Sequence, residues 1–340
     1  MRIRNRKNAI KNIFATGIAS AVLAHSAIAA DGDWAKNTKM SGLLETEYAS
    51  STAFSGTSSA DFTVPKLEVL IESKLNEKYT ANVLLLHEED STQFQVDAAW
   101  LDFALKSFDM QLGRIAVPFG SFDTYMLADP VTLKVAETKE SVILLSKKFG
   151  DIEAAAYLFN GSTKKTGGNE AVDQMGFRVA YSSDNLSVGV DYLNNIGDSD
   201  TIGTKIGANI ANYVAGQTIF ARYNFGSNHL IFEHVMTGQF AAAEVAFKGV
   251  GAKVTATNIE FAHDMKLAGM NSSVAVGMQS TAQAIALTQP LSKLMLALNM
   301  EVASATMLGF EYASSTDYAV ADGGTGKSGS AYTVKLAVEF

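Results

Sequence analysis

Charged and aromatic side chains are concentrated in one segment of this sequence, residues 114–141. Its charged members are Arg114, Asp123, Asp129, Lys134, Glu137, Lys139 and Glu140, and its aromatic members are Phe119, Phe122 and Tyr125. Closely spaced cations and anions can contact a polar solute, which would make this segment a selectivity region. The aromatic rings fit two interpretations equally well, contact with a solute or packing against the rest of the protein.

The sequence does not support a catalytic or metal site. It contains no Gly-x-Ser-x-Gly, His-Glu-x-x-His or Gly-x-x-x-x-Gly-Lys-Ser/Thr motif. The absence of cysteine excludes thiolate nucleophiles, thiolate zinc sites and disulfides. The group His87–Asp90 is rich in metal-ligand types, but a solvated turn is the favoured interpretation. His229 and His234 are five residues apart on a predicted strand and therefore face opposite sides. We predict no enzyme activity and no cofactor.

The first 29 residues have the organisation of a secretory signal peptide. Five basic residues in the first eleven are followed by the apolar run Ile13–Ala24 and by the small-residue cleavage pattern Ala27–Ala29. We therefore predict a cleaved signal over residues 1–29, a short periplasmic segment over 30–38 and a membrane domain over 39–340. The protein is expected to be exported to the bacterial outer membrane.

Alternation with a period of two residues dominates the remaining chain and predicts strands. Leu294, Leu296 and Leu298, for example, alternate with Lys293 and Asn299. Sixteen strands are predicted, near residues 39–49, 62–75, 78–87, 93–106, 109–115, 141–149, 152–160, 174–182, 186–193, 212–224, 229–237, 252–264, 271–280, 292–302, 305–315 and 330–340.

The predicted connections alternate between short and long. Turns of two or a few residues, such as Asn76-Glu77 and Gly150-Asp151, alternate with longer loops such as 194–211. An even number of strands with short turns at one end and long loops at the other is typical of a bacterial outer-membrane barrel. The predicted fold class is all-β, an antiparallel transmembrane β-barrel of about 16 strands with porin-like architecture.

The connection after the fifth predicted strand, residues 116–140, is longer than an ordinary loop. Loops of this length are usually functional or disordered, and the two prolines and the aromatic residues here argue against disorder. A barrel of sixteen strands encloses a water-filled lumen. This loop is therefore expected to fold into the lumen and narrow it.

The lumen is expected to carry charges of both signs. By strand parity, the residues expected to face it are Lys66, Glu68, Asp102, Arg178, Arg222, Glu301 and Lys335. A mixed lining of this kind predicts water filling and gives no sign preference for the solute.

The carboxyl-terminal strand predicts an assembly signal. Tyr332, Val338 and the terminal Phe340 lie on one face of this strand. A last strand that ends in an aromatic residue resembles the signal that is read by the barrel assembly machinery. Pairing of this strand with the first strand would also remove an exposed sheet edge.

The long loop and its flanks resemble the LbtU-type siderophore porins of Gram-negative bacteria. The matching runs are Pro118–Thr124, Asp129–Leu133 and Glu137–Ser141, with further agreement at Val96–Leu101 and Tyr157–Gly161. The resemblance implies an outer-membrane protein that takes up a ferric siderophore without the plug domain of TonB-dependent receptors. No plug-sized segment precedes the first predicted strand near Lys39. A ferric siderophore arrives already chelated, so the protein is expected to supply no iron ligands.

Three functions are carried forward from the sequence. The first is a siderophore-permeant porin, which rests on the resemblance. The second is a general or an anion- or carbohydrate-selective porin, which rests on the barrel alone. The third is an adhesive or structural outer-membrane barrel. Expected partners are outer-membrane lipids and lipopolysaccharide, the barrel assembly machinery and a small-molecule solute. Nucleic acid is not expected, since no basic patch with interleaved aromatic residues occurs. A monomer and a homotrimer both remain open.

Overall fold

A computed structural model describes residues 36–89 and 91–340 of the chain. The predicted signal peptide, 1–29, and residues 30–35 of the predicted periplasmic segment lie outside the described residues. The described part contains a closed antiparallel barrel of sixteen strands, which confirms the predicted fold class. The strands are β1 (Thr38–Thr52), β2 (Ser58–Lys74), β3 (Tyr79–Glu88), β4 (Thr92–Ala104), β5 (Asp109–Ala116), β6 (Lys139–Phe149), β7 (Ile152–Phe159), β8 (Gln174–Ser182), β9 (Leu186–Leu193), β10 (Gly216–Phe225), β11 (Asn228–Gln239), β12 (Lys253–Leu267), β13 (Met270–Ala282), β14 (Ser292–Ala303), β15 (Thr306–Thr316) and β16 (Ser328–Glu339).

Each strand pairs with its neighbours in sequence, and β1 pairs with β16 to close the barrel. Short turns lie at one end, and the longer loops, between β5 and β6 and between β9 and β10 for example, lie at the other. Some predicted boundaries are wrong by several residues. The second strand begins at Ser58 instead of residue 62, and the tenth begins at Gly216 instead of residue 212.

The outer surface of the barrel is apolar because side chains alternate across the wall. On β14, Leu294 and Leu296 are each 53% exposed, whereas Met295 between them is fully buried on the inner face. Aromatic pairs lie toward both ends of the wall, with Tyr312 against Tyr332 near the long loops and Tyr79 against Phe103 near the short turns. An apolar surface of this extent, flanked by aromatic residues, suits a bilayer and not water.

Helices are few and short in the structure. In the described ranges, no helix is long and apolar enough to cross a membrane. The described residues form two α-helices, α1 (Val131–Ala136) in the loop after β5 and α2 (Asp200–Ile206) in the loop after β9.

The terminal residue completes the closure of the barrel. The Gly42 N–H donates to the Phe340 carbonyl oxygen at 2.7 Å, and the Phe340 N–H donates to the Gly42 carbonyl oxygen at 3.1 Å. A Cβ atom on Gly42 would lie 2.4 Å from the Phe340 ring and 2.7 Å from the backbone oxygen of Glu68. Only glycine therefore fits beneath this ring.

Replacing Gly42 by valine is expected to loosen the seam between β1 and β16. The added side chain must displace either the Phe340 ring or the backbone of β2, and overpacking of this kind costs about 1–3 kcal/mol. The temperature at which the folded barrel loses its fast migration on a gel should fall. Thr46→Val, on the same strand and face, is the control and should leave that temperature unchanged. Equal temperatures for both variants would mean that the glycine is not required.

The loops at the long-loop end contribute apolar residues to a core inside the barrel. We name L3 the loop of residues 117–138 and L5 the loop of residues 194–215. Phe119, Val131 and Val135 of L3 belong to one buried cluster with Ile196 and Ile202 of L5. The lumen is therefore partly filled with packed loops at the long-loop end, and L3 packs against L5 as well as against the barrel wall.

Candidate functional site

L3 crosses the lumen and is bound to the inner wall by a row of carboxylates. The prediction that the long loop folds inward is confirmed. The carboxylates belong to Asp191 on β9, Glu233 on β11, Glu260 on β12 and Glu311 on β15, and all four residues are buried. A buried loop leaves backbone N–H groups without strand partners, and such groups must find acceptors. Ionised carboxylates supply strong ones.

Glu233 is the central acceptor of the row. Its Oε1 accepts hydrogen bonds from the backbone N–H groups of Ser121, at 2.6 Å, and Phe122, at 3.2 Å. Its Oε2 accepts from the Thr132 hydroxyl at 2.6 Å. One side chain thus ties together two parts of L3 that are ten residues apart in sequence.

Asp191 and Arg178 hold the start of L3. The Gly120 N–H donates to Asp191 Oδ2 at 2.7 Å, and Arg178 Nη2 donates to the Gly120 carbonyl oxygen at 2.7 Å. Arg178 Nε also donates to Asp191 Oδ1 at 2.7 Å. The backbone N–H and the carbonyl group of Gly120 are therefore both fixed by the Arg178–Asp191 ion pair.

Glu260 and Glu311 hold the tip of L3 on the far wall. Glu260 accepts from the Thr124 hydroxyl and from the Tyr125 N–H, each at 2.6 Å. Glu311 accepts from the N–H groups of Leu127 and Ala128. The tip is therefore held on two strands of the wall opposite to the point where L3 begins.

One amide donor and one cationic donor complete the attachment of L3 to the wall. Asn299 Nδ2 donates to the Tyr125 carbonyl oxygen at 2.9 Å, and Lys335 Nζ donates to the Leu127 carbonyl oxygen at 3.4 Å. Carboxylates thus bind the N–H groups of L3 while these two side chains bind its carbonyl groups. The tip of L3 is fixed on both its donor and its acceptor side.

Gly120 gives L3 its sharp bend. Its φ is +90°, and a Cβ atom there would lie 2.3 Å from the Phe122 ring and 3.1 Å from Glu233 Oε1. A side chain is therefore strained by the backbone conformation and blocked by its neighbours.

Gly120→Ala is expected to displace the start of L3 and weaken its bonds to Asp191 and Glu233. We expect a loss of about 1–3 kcal/mol from backbone strain and overpacking. Urea unfolding in detergent micelles measures the loss. Gly56→Ala is the matched control, since Gly56 also has a positive φ, of +89°, but has open space around it. If Gly120→Ala lowers the free energy of unfolding no more than Gly56→Ala does, backbone strain alone explains the loss. Steric contact with Phe122 and Glu233 then makes no contribution.

The three aromatic residues of L3 are packed. Phe119, Phe122 and Tyr125 are 1%, 7% and 4% exposed. Of the two interpretations left open by the sequence, packing against the wall is the one that the structure favours. The Tyr125 ring stacks on His229 at 5.4 Å, and Arg222 donates to its hydroxyl at 3.3 Å. Burial raises the pKa of the Tyr125 phenol to about 12 against the opposing effect of Arg222, so the phenol stays neutral.

The exposed charges of L3 lie on and beside α1. Asp129 and Lys134 form an ion pair of 3.3 Å with side chains 37% and 49% exposed. On the wall, Lys66 pairs with Glu68 at 3.3 Å. Lys66 also lies close enough to Asp129 and Glu137 to interact electrostatically with both. Charges of both signs therefore face one another where L3 approaches β2.

Arg114 lies on β5, within the bounds predicted for the fifth strand. Lys139 and Glu140, predicted at the end of the loop, are instead the first residues of β6, where they pair with Ala116 and Ile115. The predicted loop end at residue 140 is therefore wrong by two residues, because the ladder with β5 continues to Lys139. Their charges still lie together, since Lys139 pairs with Asp97 at 3.1 Å and Arg114 Nε donates to the Asp97 carbonyl oxygen at 3.2 Å.

Of the charged residues assigned to the lumen by strand parity, Arg178, Arg222 and Lys335 contact L3 as described above. Lys66 interacts electrostatically with Asp129 and Glu137 of L3 and is paired with Glu68. Asp123 of L3 lies 3.9 Å from Arg222.

Asp102 and Glu301, also assigned to the lumen, form hydrogen bonds within the barrel wall. Asp102 accepts from Asn82 at 2.7 Å and from Gln111 at 2.8 Å, and Glu301 accepts from Asn271 at 3.1 Å.

The histidine groups noted in the sequence do not assemble into a site. His87 Nδ1 lies 3.1 Å from the Thr92 carbonyl oxygen, and Glu88 accepts hydrogen bonds from the hydroxyls of Ser91 and Thr92. His229 is bonded to Asp264 on the inner face, at 2.9 Å. Over residues 36–89 and 91–340, no three histidine, aspartate or glutamate side chains are grouped so as to hold a metal ion.

Sequence reasoning did not single out Asp191, Glu233 and Glu260. A signal for them was present. Glu233 stands between Ile231 and Val235 on the inner face of β11, and Glu260 stands between Asn258 and Ala262 on the inner face of β12. A single acid among apolar or small inward residues indicates a partner in the lumen, since a lone buried carboxylate would be costly.

The fold is that of the sixteen-stranded porins. It is similar to an anion-selective porin from Comamonas acidovorans, with a TM-score of 0.64, 14% identity and coverage of 89% of this chain and 99% of that chain. It is also similar to the outer membrane channel DcaP of Acinetobacter baumannii, with a TM-score of 0.64, 10% identity and coverage of 89% and 97%. No family model matches the sequence.

Among curated proteins, the chain is similar to UPF0422 proteins of Legionella pneumophila. The relative from strain Lens is 22% identical over 354 aligned residues, which cover 88% of this chain and 66% of the relative. The chain thus spans slightly less than two thirds of the length of this relative.

Proposed function

We propose that the chain forms a water-filled channel across the bacterial outer membrane, with L3 as its constriction. The observation that carries this proposal is the attachment of L3 across the lumen by four buried carboxylates. A loop that only sealed the barrel would not need exposed charges, yet the side chains of Asp129 and Lys134 remain 37% and 49% exposed. The apolar outer wall supports a membrane location. Assembly through Tyr332, Val338 and Phe340, and a monomeric or homotrimeric state, stay predictions.

Conductance of the purified protein in a planar lipid bilayer tests the channel. Discrete current steps are expected, since charges of both signs on L3 and β2 favour a water-filled passage beside L3. A folded barrel that gives no current steps would favour the adhesive or structural alternative.

We further propose that a ferric siderophore is the solute. The support is the resemblance of L3 and its flanks to the LbtU-type siderophore porins. Within that motif, Gly120, Thr124 and Thr132 are among the residues that bond L3 to the wall. The shared motif therefore indicates a similarly attached loop, and the solute follows from the resemblance and not from the geometry.

Uptake of iron-labelled siderophore under iron starvation tests the solute. A strain that lacks the gene is compared with one that carries the intact chain and with one that carries Asp129→Asn/Lys134→Gln, which removes the exposed ion pair of L3. Loss on deletion, recovery with the intact chain and altered uptake with the variant are expected. Unchanged uptake on deletion, with conductance retained, would favour the general porin.

A further inference from the structure

A cavity opens into the lumen beside the tip of L3, toward the long-loop end of the barrel. Its volume is about 290 Å³, and it is open to solvent. Its walls come from β14, β15 and β16, from Ala128 of L3 and from Phe54 after β1. The lining is largely small and hydroxyl-bearing, and its charged side chains are those of Lys293 and Glu311.

Lys293 differs from the other inward cations of the barrel. Lys66 pairs with Glu68, Lys139 with Asp97, Arg178 with Asp191, and Lys335 with Glu45. The ammonium of Lys293 makes no hydrogen bond and no ion pair with any residue in the described part of the chain. The carboxylate that interacts with it most strongly is that of Glu311; the charges of Lys134 and Asp129, which act in opposite directions, contribute less.

Glu311 is not available to neutralise Lys293 fully, because it is already an acceptor for L3. It accepts from the N–H groups of Leu127 and Ala128 and is buried. Moving it toward Lys293 would leave those two N–H groups without acceptors. The positive charge of Lys293 therefore remains directed at the cavity.

A second donor without an acceptor lies next to Lys293. Gln279 on β13 is directly opposite Lys293 in the strand register. Its Oε1 accepts from the Val131 N–H, whereas its buried Nε2 has no partner among the described residues. On the other side, Ser315 of β15 is also directly opposite Lys293 and lines the cavity. Gln279 is fully buried and does not line the cavity, so the cation and the hydroxyl that stand side by side at the cavity wall are those of Lys293 and Ser315.

We propose that Lys293, with Ser315 beside it, forms a binding site for an oxyanion group of the transported solute. An oxyanion would supply the acceptor that Lys293 lacks, and the Ser315 hydroxyl can donate to the same group. The solute class is a small molecule that carries carboxylate groups. This inference rests on the proposed channel function, because it places the site on the path of a solute.

Citrate is the probe, and uncharged sucrose at equal concentration is its control. Citrate is added to the wild-type channel in a planar bilayer, and the concentration that halves the current is measured. Lys293→Gln is expected to raise that concentration about tenfold, which equals about 1.4 kcal/mol. Lys293→Arg should stay within about twofold of the wild type. Lys253→Gln, at an outward-facing position of β12 near the same end, should not change it.

Binding of citrate to the folded protein in detergent, measured by calorimetry, is the second readout. It separates failure of the site from failure of the channel. A protein that binds citrate through Lys293 but gives no current steps would contradict the proposed channel function and support the proposed oxyanion site. A conducting protein whose citrate block is the same in wild type and Lys293→Gln would overturn the site. Lys293→Met replaces Lys293→Gln in both measurements if the glutamine variant does not assemble.

Discussion

Replacing Glu233 by alanine is expected to release L3 from the wall and to raise the single-channel conductance several-fold. The change removes the common acceptor of Ser121, Phe122 and Thr132. Each buried donor left without an acceptor costs about 1–3 kcal/mol, so the attached state of L3 loses several kcal/mol. A released loop no longer fills the lumen, and the conductance in a planar bilayer measures the widened passage.

Asp102→Asn is the control for this experiment. Asp102 is also an inward carboxylate, but its bonds to Asn82 and Gln111 lie within the wall. The control should conduct as the wild type does. A folded Glu233→Ala channel with wild-type conductance and wild-type current noise would show that the other three carboxylates hold L3 without Glu233, and the variant Glu233→Ala/Glu260→Ala would then be the next one to measure.

The barrel could be predicted from the sequence because its determinants are local. Alternation along each strand, as in Leu294 to Leu298, and the contrast between short turns and long loops need no knowledge of distant residues. The errors fall at strand ends. β10 begins at Gly216 and β6 begins at Lys139, positions where pairing with the neighbouring strand decides the boundary.

The attachment of L3 could not be predicted in the same way, because its partners are distant in sequence. Leu127 and Glu311 are 184 residues apart, and Ser121 and Glu233 are 112 residues apart. Which strand a loop reaches depends on the size of the lumen and on the path of the loop. The sequence could mark Glu233 as an unusual inward acid, but it could not assign its donors.

The aromatic residues of L3 illustrate the same limit. In the sequence, Phe119 and Phe122 fit contact with a solute as well as packing. The deciding fact is the apolar cluster contributed by L5, with Ile196 and Ile202, which has no period that marks it as part of a core. Loop residues that pack inside a barrel resemble ordinary loop residues until the lumen is known.

Replacing Lys335 by methionine is expected to destabilise the closed barrel by about 3–5 kcal/mol. Lys335 lies on β16 and forms ion pairs of 3.0 Å with both Glu45 and Glu47 of β1. A register irregularity between Glu45 and Glu47 accompanies this arrangement. Removal of the cation leaves two carboxylates close together in a buried seam, and an uncompensated buried charge carries a penalty of this size. Urea unfolding in detergent micelles measures the loss.

The variant Lys335→Met/Glu45→Gln/Glu47→Gln distinguishes charge from packing. If the uncompensated carboxylates cause the loss, removing their charges should restore most of the stability, since replacing a whole buried ion pair with neutral groups is often nearly neutral. The same variant also lacks the bond from Lys335 to the Leu127 carbonyl oxygen, so its conductance should still differ from that of the wild type. A triple variant as unstable as Lys335→Met would instead assign the loss to the aliphatic packing of the lysine and to its bond with L3. The seam of the barrel and the tip of its constriction loop depend on the same side chain, because Lys335 is in contact with both.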